Sequence, residues 1–232
     1  MKIHLLNFFK FFDENNPKHV AAADQLEADL SSKLPEILED TSNWVRIFRT
    51  PITLPKSEGI LNVPWYPQTD NYRDPQRTCN SSSCAMCLEY FKPGTLTGST
   101  GDNAYISKIF SVGDTTDHTV QTQVLQSYGV KSEFRYNLSF DDIDRELTAK
   151  RPVVIGILHR GSLSYPTGGH MIVVRGKTAS GDYVINDPYG SLNDNYTGPV
   201  VNGKGVVYKK SVLEKRWTPE GPKSGWGRIF LT

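Results

Sequence analysis

The middle of the chain carries the apolar spacing of helices. Apolar side chains recur at i, i+4 and i+7 within residues 80–91, which is the spacing of one helix face. Residues 116–128 favour a second helix. Ser139 and Asp142 have the spacing of a capping box, which predicts a helix over residues 139–147. The sequence therefore predicts three helices in this stretch.

The C-terminal part of the chain has a different pattern, in which short apolar segments alternate with Gly, Pro and Asn turns. The predicted strands are 152–158, 170–175, 182–186, 205–209 and 228–231. Helices followed by strands indicate an α+β domain, since this order cannot generate repeated parallel βαβ units. We therefore expect helices packed on an antiparallel sheet.

The first 55 residues predict an extension of this domain. Pro17, after Asn16, is a suitable helix start, and the apolar positions after it continue to about residue 34. Alternating apolar and charged residues at 44–49 predict a strand. Without a flexible linker, residues 1–55 are expected to pack on a main domain of residues 56–232.

Composition excludes some partners and locations. The 26 Lys and Arg residues nearly balance the 25 Asp and Glu residues, and no basic run suggests nucleic-acid binding. The N-terminal apolar cluster is interrupted by Lys10 and lacks a cleavage site for a signal peptide. The apolar run at 152–158 is too short to span a bilayer. We expect a soluble protein, made in the cytoplasm.

The three cysteines have different surroundings. Cys79 lies among polar residues at the predicted start of a helix, where unpaired N–H groups and the helix dipole favour a thiolate. An ordinary thiol has a pKa of about 8.5 and is mostly protonated at neutral pH. Cys84 and Cys87 fall on the apolar face of the same helix and are expected in the core. Cys79 is therefore the candidate nucleophile.

A zinc site made by Cys79, Cys84, Cys87 and His170 is the competing interpretation. Its spacing lacks the second ligand pair of structural zinc sites, and Cys79 would lie more than a helical turn from the other thiols. We expect reduced thiols and neither a metal nor a cofactor.

A base and a group that orients it are expected from the predicted strands. His170 follows two glycines at the start of one strand, and Asp187 ends the next. A hairpin would bring them together, which makes His170 the candidate base and Asp187 its orienting partner. Asn186 is the alternative partner, and His159 is the alternative base.

An oxyanion formed at Cys79 would need hydrogen-bond donors. The backbone N–H of Cys79 and an upstream side-chain amide form the natural arrangement. Gln68 is the preferred amide, with Gln76 and Asn71 as alternatives.

These motifs, in this order, resemble the C39-like branch of papain-fold cysteine peptidases. The branch has Val-Pro-aromatic-x-x-Gln, then Cys-Gly-Pro-x-x-x-Ala-Met, and later Gly-His and Asp-Pro. The corresponding segments here are 63–68, 79–86, 169–170 and 187–190. Residues 158–161 and 216–226 also look like those of bacterial and phage members. The resemblance covers about residues 60 to 232, and it departs from the pattern at Asn80-Ser81, which replaces Gly-Pro.

The resemblance implies a papain-like α+β fold and a peptidase with Cys79 as nucleophile, His170 as base, Asp187 as orienting residue and Gln68 as oxyanion donor. Bacterial and phage relatives imply peptidoglycan peptides as substrate, for a protein that is released from the cell or associated with a virion. Acyl transfer to an amine is one alternative. An inactive binding module that uses Trp65 and Tyr66 as its contact surface is another.

Overall fold

The computed structural model describes residues 59–98 and 100–232. The predicted helix and strand of the N-terminal extension, and its packing on the main domain, lie outside the described residues. The division at residue 55 therefore stays a prediction.

Five α-helices occur in the described part of the chain. They are α1 (Cys79–Phe91), α2 (Asp102–Val112), α3 (His118–Ser127), α4 (Phe140–Thr148) and α5 (Lys210–Arg216). The predicted capping box is confirmed, because Ser139 and Asp142 exchange side-chain and backbone hydrogen bonds at the start of α4. Helix α1 begins at Cys79 itself.

The described strands form one large sheet and one small one. They are β1 (Ser132–Leu138), β2 (Val153–Ile157), β3 (Arg160–Gly161), β4 (Pro166–Thr167), β5 (His170–Lys177), β6 (Tyr183–Asn186), β7 (Lys204–Tyr208) and β8 (Gly225–Phe230). The large sheet has the order β1-β8-β2-β5-β6-β7, and every pairing is antiparallel. Strands β3 and β4 form a separate hairpin. The α+β prediction is confirmed.

Helix α1 is fixed to the strand that carries the candidate base. Its apolar side chains are buried in the main core with the side chains of β5, and Cys84 and Cys87 are completely buried there, as predicted. The Ser83 hydroxyl donates to the carbonyl oxygen of Met171 at 3.0 Å. Because buried polar groups need hydrogen-bond partners, this contact fixes the position of α1 along β5.

None of the helices in residues 59–98 and 100–232 combines the length and the apolar character needed to cross a membrane.

Candidate active site

Cys79 lies in the first turn of α1, beside a cavity of about 260 Å³. Its side chain is partly exposed, unlike those of Cys84 and Cys87. The cavity walls come from the loop before α1, from the connection between β2 and β5 and from the turn after β6. The most accessible of the three thiols therefore faces a space large enough for part of a peptide.

The thiol of Cys79 lies beside the imidazole of His170. Burial opposes ionisation of this thiol, but the neighbouring imidazole and its positive charge outweigh burial and lower the pKa of Cys79. The nearby backbone N–H groups of Met171 and Asn80 lower the pKa of Cys79 further. The surroundings thus favour a thiolate.

The imidazole of His170 is correspondingly stabilised in its charged form. Burial alone would lower its pKa, but the charge and hydrogen bond of Asp187, together with Cys79, raise it to about 10. His170 Nε2 donates to Asp187 Oδ1 at 2.7 Å. Because Nε2 is committed to Asp187, Nδ1 is the nitrogen left for Cys79.

The β5–β6 hairpin explains why His170 and Asp187 meet. His170 is the first residue of β5, and Asp187 directly follows β6, which pairs with β5 in antiparallel register. The start of one strand and the end of the other therefore lie at the same end of the sheet. The two residues proposed as base and orienting group are brought together there.

Asp187 is fully buried, and its carboxylate accepts four hydrogen bonds. Besides His170, Oδ1 accepts from the Tyr189 backbone N–H at 2.9 Å. The other oxygen, Oδ2, accepts from the hydroxyls of Tyr208 at 2.7 Å and Tyr196 at 3.1 Å. Burial and the carboxylate raise the pKa of both phenols, so both remain donors. A carboxylate held on both sides in this way has little freedom to turn away from His170.

The two tyrosines are functional candidates that sequence reasoning did not identify. Tyr208 is the last residue of β7, and an aromatic residue in a strand is normally interpreted as a core residue. Tyr196 lies in an irregular segment. Only the spatial closeness of β6, β7 and their connection aims both hydroxyls at one carboxylate. The sequence contains no local signal for this arrangement.

Asn186, the alternative orienting group, has another role. Its amide nitrogen donates to the carbonyl oxygens of Val63 and Pro64, each at 3.0 Å, and its oxygen accepts from the Gly205 N–H at 3.0 Å. Asn186 thus fastens the segment before α1 to the sheet, and its side-chain hydrogen bonds go to other partners than His170.

Gln68 lies buried in the cavity wall, where the sequence-based proposal needs a donor. Its Nε2 donates to the Pro75 carbonyl oxygen at 2.7 Å, and its backbone N–H donates to the Pro188 carbonyl oxygen at 2.8 Å. An amide nitrogen carries two hydrogens, so one remains for an oxyanion. The second contact also ties this loop to the turn that follows Asp187.

The two alternative amides are placed differently. Gln76 lines the cavity, and its Oε1 accepts from the Tyr189 hydroxyl at 3.1 Å. Asn71 uses both amide hydrogens on Thr78 and Ser82, each at 2.9 Å, and supports the start of α1. Gln76 therefore remains a second donor candidate at the cavity, and Asn71 does not.

His159, the alternative base, also lines the cavity, but the hydrogen bonds of the Asp187 carboxylate come from other groups. Its ring centroid lies 5.2 Å from that of His170, and its Nε2 accepts from Arg160 Nε at 3.2 Å. Burial and the positive charges of His170 and Arg160 lower its pKa to about 4. At neutral pH His159 is an uncharged neighbour of His170.

The departure at Asn80-Ser81 is accommodated by side-chain contacts. Both residues lie within α1 and neither has a positive φ angle, so the backbone does not require glycine there. Asn80 Nδ2 donates to His118 Nδ1 at 3.3 Å. The Ser81 hydroxyl contacts that of Thr115 at 2.6 Å and accepts from Gln121 at 2.8 Å. The substitution therefore connects α1 to the region around α3.

The proposed contact surface of an inactive module is largely taken up by the fold. Trp65 is half-buried and its Nε1 donates to the Asp187 carbonyl oxygen at 2.9 Å. Tyr66 is 4% exposed, and its hydroxyl donates to the Leu96 carbonyl oxygen at 2.8 Å. This pair leaves little aromatic surface for a partner.

Across residues 59–98 and 100–232, no group of three or more His, Cys, Asp and Glu side chains is arranged to hold a metal ion. Cys84 and Cys87 instead pack in the core, away from the partly exposed Cys79.

Comparisons with known proteins give similarities in sequence and in fold. A sequence model of the Peptidase_C39 like family matches residues 60–223. A C39-like peptidase from Bacillus anthracis has a similar structure, with a TM-score of 0.50 and 16% identity over 75% of this chain and 96% of that one. A double glycine motif protease from an AMS/PCAT transporter, solved with its leader peptide, gives 0.47 and 16% over 75% and 94%. Curated proteins give no match.

Proposed function

Because the chain belongs to the Peptidase_C39 like family, we propose that it cleaves peptide bonds with Cys79 as nucleophile, His170 as acid and base and Asp187 as orienting group. The family and the papain-like α+β fold support cysteine peptidase activity in general. The contact of Cys79 with His170, and of His170 with Asp187, is the observation that supports this assignment of roles.

The proposed reaction begins with attack of the Cys79 thiolate on the substrate carbonyl carbon. The new C–S bond pushes the carbonyl electrons onto oxygen, where the Cys79 N–H and the free Gln68 hydrogen would stabilise the negative charge. When the oxyanion collapses, the C–N bond breaks and the His170 imidazolium gives its proton to the leaving amine.

The remaining thioester is then hydrolysed. Neutral His170 takes a proton from water as the water oxygen attacks the thioester carbon. Collapse of the second tetrahedral intermediate releases the carboxylic acid product and returns the sulfur as a thiolate beside the imidazolium. Throughout this cycle Asp187 keeps Nε2 of His170 occupied, so that Nδ1 faces sulfur and substrate.

The substrate that we propose is a peptide of the bacterial cell wall. The peptidase family supports a peptide substrate. The resemblance of residues 158–161 and 216–226 to bacterial and phage members is the reason for choosing the cell wall.

Alkylation of Cys79 by iodoacetamide tests the proposal directly. His170 lowers the pKa of Cys79, so the thiolate persists below the usual thiol range and the rate falls only as pH drops through the lowered pKa. We expect Cys79 to react at least about tenfold faster than free N-acetylcysteine at pH 6. Peptide mass mapping after a short pulse measures the rate at each position.

Cys84 and Cys87 are the internal controls for this measurement. Burial raises the pKa of both thiols, so both should remain unlabelled in the folded protein and react after denaturation. Equal, slow labelling of all three cysteines in the folded protein would contradict the proposed activation of Cys79.

Replacing Gln68 with alanine tests the oxyanion assignment. We expect kcat to fall about 10²-fold with little change in KM, because the lost donor acts mainly on the charged intermediate. Steady-state kinetics on a cleaved peptide measures both constants.

Gln76→Ala is the matched control, since Gln76 is also a cavity glutamine. If Gln76→Ala lowers kcat more than Gln68→Ala does, then Gln76 and not Gln68 supplies the donor.

A further inference from the structure

One cavity wall carries a cation that the proposed catalytic steps do not use. This cation is Arg160, which lines the cavity and begins the β3–β4 hairpin. Its Nε donates to His159 Nε2 at 3.2 Å. Among residues 59–98 and 100–232, no carboxylate lies within ion-pair distance of its guanidinium, and none lines this cavity. Arg160 therefore keeps donors for a ligand.

Hydrogen bonds from a buried arginine hold the backbone around Arg160 in place. Arg216 is buried, and its guanidinium donates to the carbonyl oxygens of Leu158 at 2.6 Å, Arg160 at 3.0 Å and Gly161 at 3.0 Å. The Leu158 N–H in turn donates to the Arg216 carbonyl oxygen at 2.8 Å. Three carbonyl groups of this wall are thus anchored to one buried side chain.

The hairpin itself also has a fixed course. Gly161 has a φ of +71°, and a side-chain carbon there would come within 2.3 Å of the Tyr165 carbonyl oxygen. Gly168 packs against His159, with a corresponding distance of 3.0 Å to the ring. The positive φ and close approach at Gly161, and the positive φ at Gly168, favour glycine at both positions, so the backbone of the wall that carries Arg160 has a defined course.

Arg160 is the charged group at this cavity whose charge is not balanced by a neighbouring opposite charge. The Cys79 thiolate and the His170 imidazolium neutralise each other, and His159 is uncharged at neutral pH. The negative charge of Asp187 lies behind His170, fully buried, with both oxygens occupied. Toward the cavity, the accessible charge that remains is the guanidinium of Arg160.

We infer that Arg160 selects substrates with a carboxylate close to the scissile bond. A guanidinium binds a carboxylate through two parallel hydrogen bonds, and in a peptide the anionic groups are carboxylates of acidic side chains or of the chain end. Arg160 is thus a specificity-determining residue. The biological meaning of this inference rests on the proposed peptidase function, but the attraction of a carboxylate by Arg160 can be measured separately.

The first experiment compares two reagents that alkylate Cys79 and differ in charge, iodoacetate and iodoacetamide. The quantity compared is the alkylation rate with iodoacetate divided by the rate with iodoacetamide. At low salt this ratio should be about three- to tenfold higher in the unaltered protein than in Arg160→Gln, because the guanidinium attracts the anion. His170 acts on both reagents in both proteins, so the change in ratio reports Arg160.

Two variants control this comparison. Arg135→Gln removes an exposed arginine that is paired with Glu133 on β1, and it should leave the ratio unchanged. Arg160→Lys keeps the charge but not the planar donor pair, and it should retain most of the preference for iodoacetate. An equal ratio in the unaltered protein and in Arg160→Gln would overturn the inference, as would an equal loss in Arg135→Gln.

The second experiment uses matched peptides that carry Glu or Gln beside the cleaved bond. The ratio of kcat/KM for Glu over Gln peptides should exceed 1 and should fall toward 1 in Arg160→Gln. A Gln preference in the unaltered protein would count against the inference. If no peptide is cleaved while the alkylation ratio still depends on Arg160, the proposed peptidase function fails and the carboxylate site stands.

Discussion

Replacing Cys79 with alanine is expected to lower kcat/KM for peptide hydrolysis by about 10⁴-fold or more. The thioester route disappears with the sulfur, and the remaining donors and His170 have no nucleophile to assist. The substitution removes a partly exposed group, so the free energy of unfolding should change by about 1 kcal/mol or less. Mass spectrometry of products from purified peptidoglycan and from a peptide library measures the loss.

Cys87→Ala is the matched control on the same helix. It removes a fully buried thiol of the core, so it should destabilise the fold by about 1–2 kcal/mol and leave kcat/KM within about threefold. Undiminished cleavage by Cys79→Ala would refute the assigned nucleophile. Faster incorporation of an added amine than of water by the unaltered protein would identify acyl transfer in place of hydrolysis.

Replacing Asp187 with asparagine is expected to lower kcat by about 10²- to 10⁴-fold, although the two side chains have nearly the same shape. The charge of Asp187 helps to raise the pKa of His170 to about 10, and without it burial would drive that pKa down. At neutral pH the imidazolium that supports the Cys79 thiolate would be lost. Kinetics and NMR titration of His170 measure the two effects.

Tyr208→Phe separates the charge of Asp187 from its hydrogen bonds. The variant removes one donor to Oδ2 and the acceptor of the Leu192 backbone N–H, and it keeps the carboxylate, so the protein should lose about 1–3 kcal/mol of unfolding free energy and less than about tenfold in kcat. If Asp187→Asn retains full kcat with an unchanged titration of His170, the orienting role proposed for Asp187 is wrong.

The sequence was sufficient to place the main groups because each lies at the end of a regular element. Cys79 begins a helix, His170 begins a strand, and Asp187 follows the next strand. Hydrophobic spacing predicts such elements, and antiparallel pairing of consecutive strands then fixes which ends meet. The meeting of His170 and Asp187 follows from this local pattern.

Other elements gave weaker signals. Strand β1 lies at the edge of the sheet, and most of its side chains are exposed or half-buried, so its apolar alternation is incomplete. Helix α2 buries Tyr105, Ile106 and Ile109 at helical spacing. This spacing is visible in the sequence, but the stretch before it is rich in Gly and Thr, which obscures the start of the helix. Helix α5 is short and has few apolar positions.

The support of the site was beyond sequence reasoning because it depends on packing. Tyr196 and Tyr208 reach Asp187 from separate parts of the chain, and Arg216 reaches three carbonyl groups next to Arg160. Each of these side chains has several plausible roles when read alone. The role of each becomes evident only from the assembled sheet and its connections.

The hydrogen bond from Ser83 to the Met171 carbonyl has a consequence for biosynthesis. It joins the helix of Cys79 to a strand that leaves the ribosome much later. Until that strand docks, a nascent chain carries a thiol with no imidazole beside it, and such a thiol is a poor nucleophile. The thiolate that we propose as nucleophile therefore forms only after α1 and β5 have packed together.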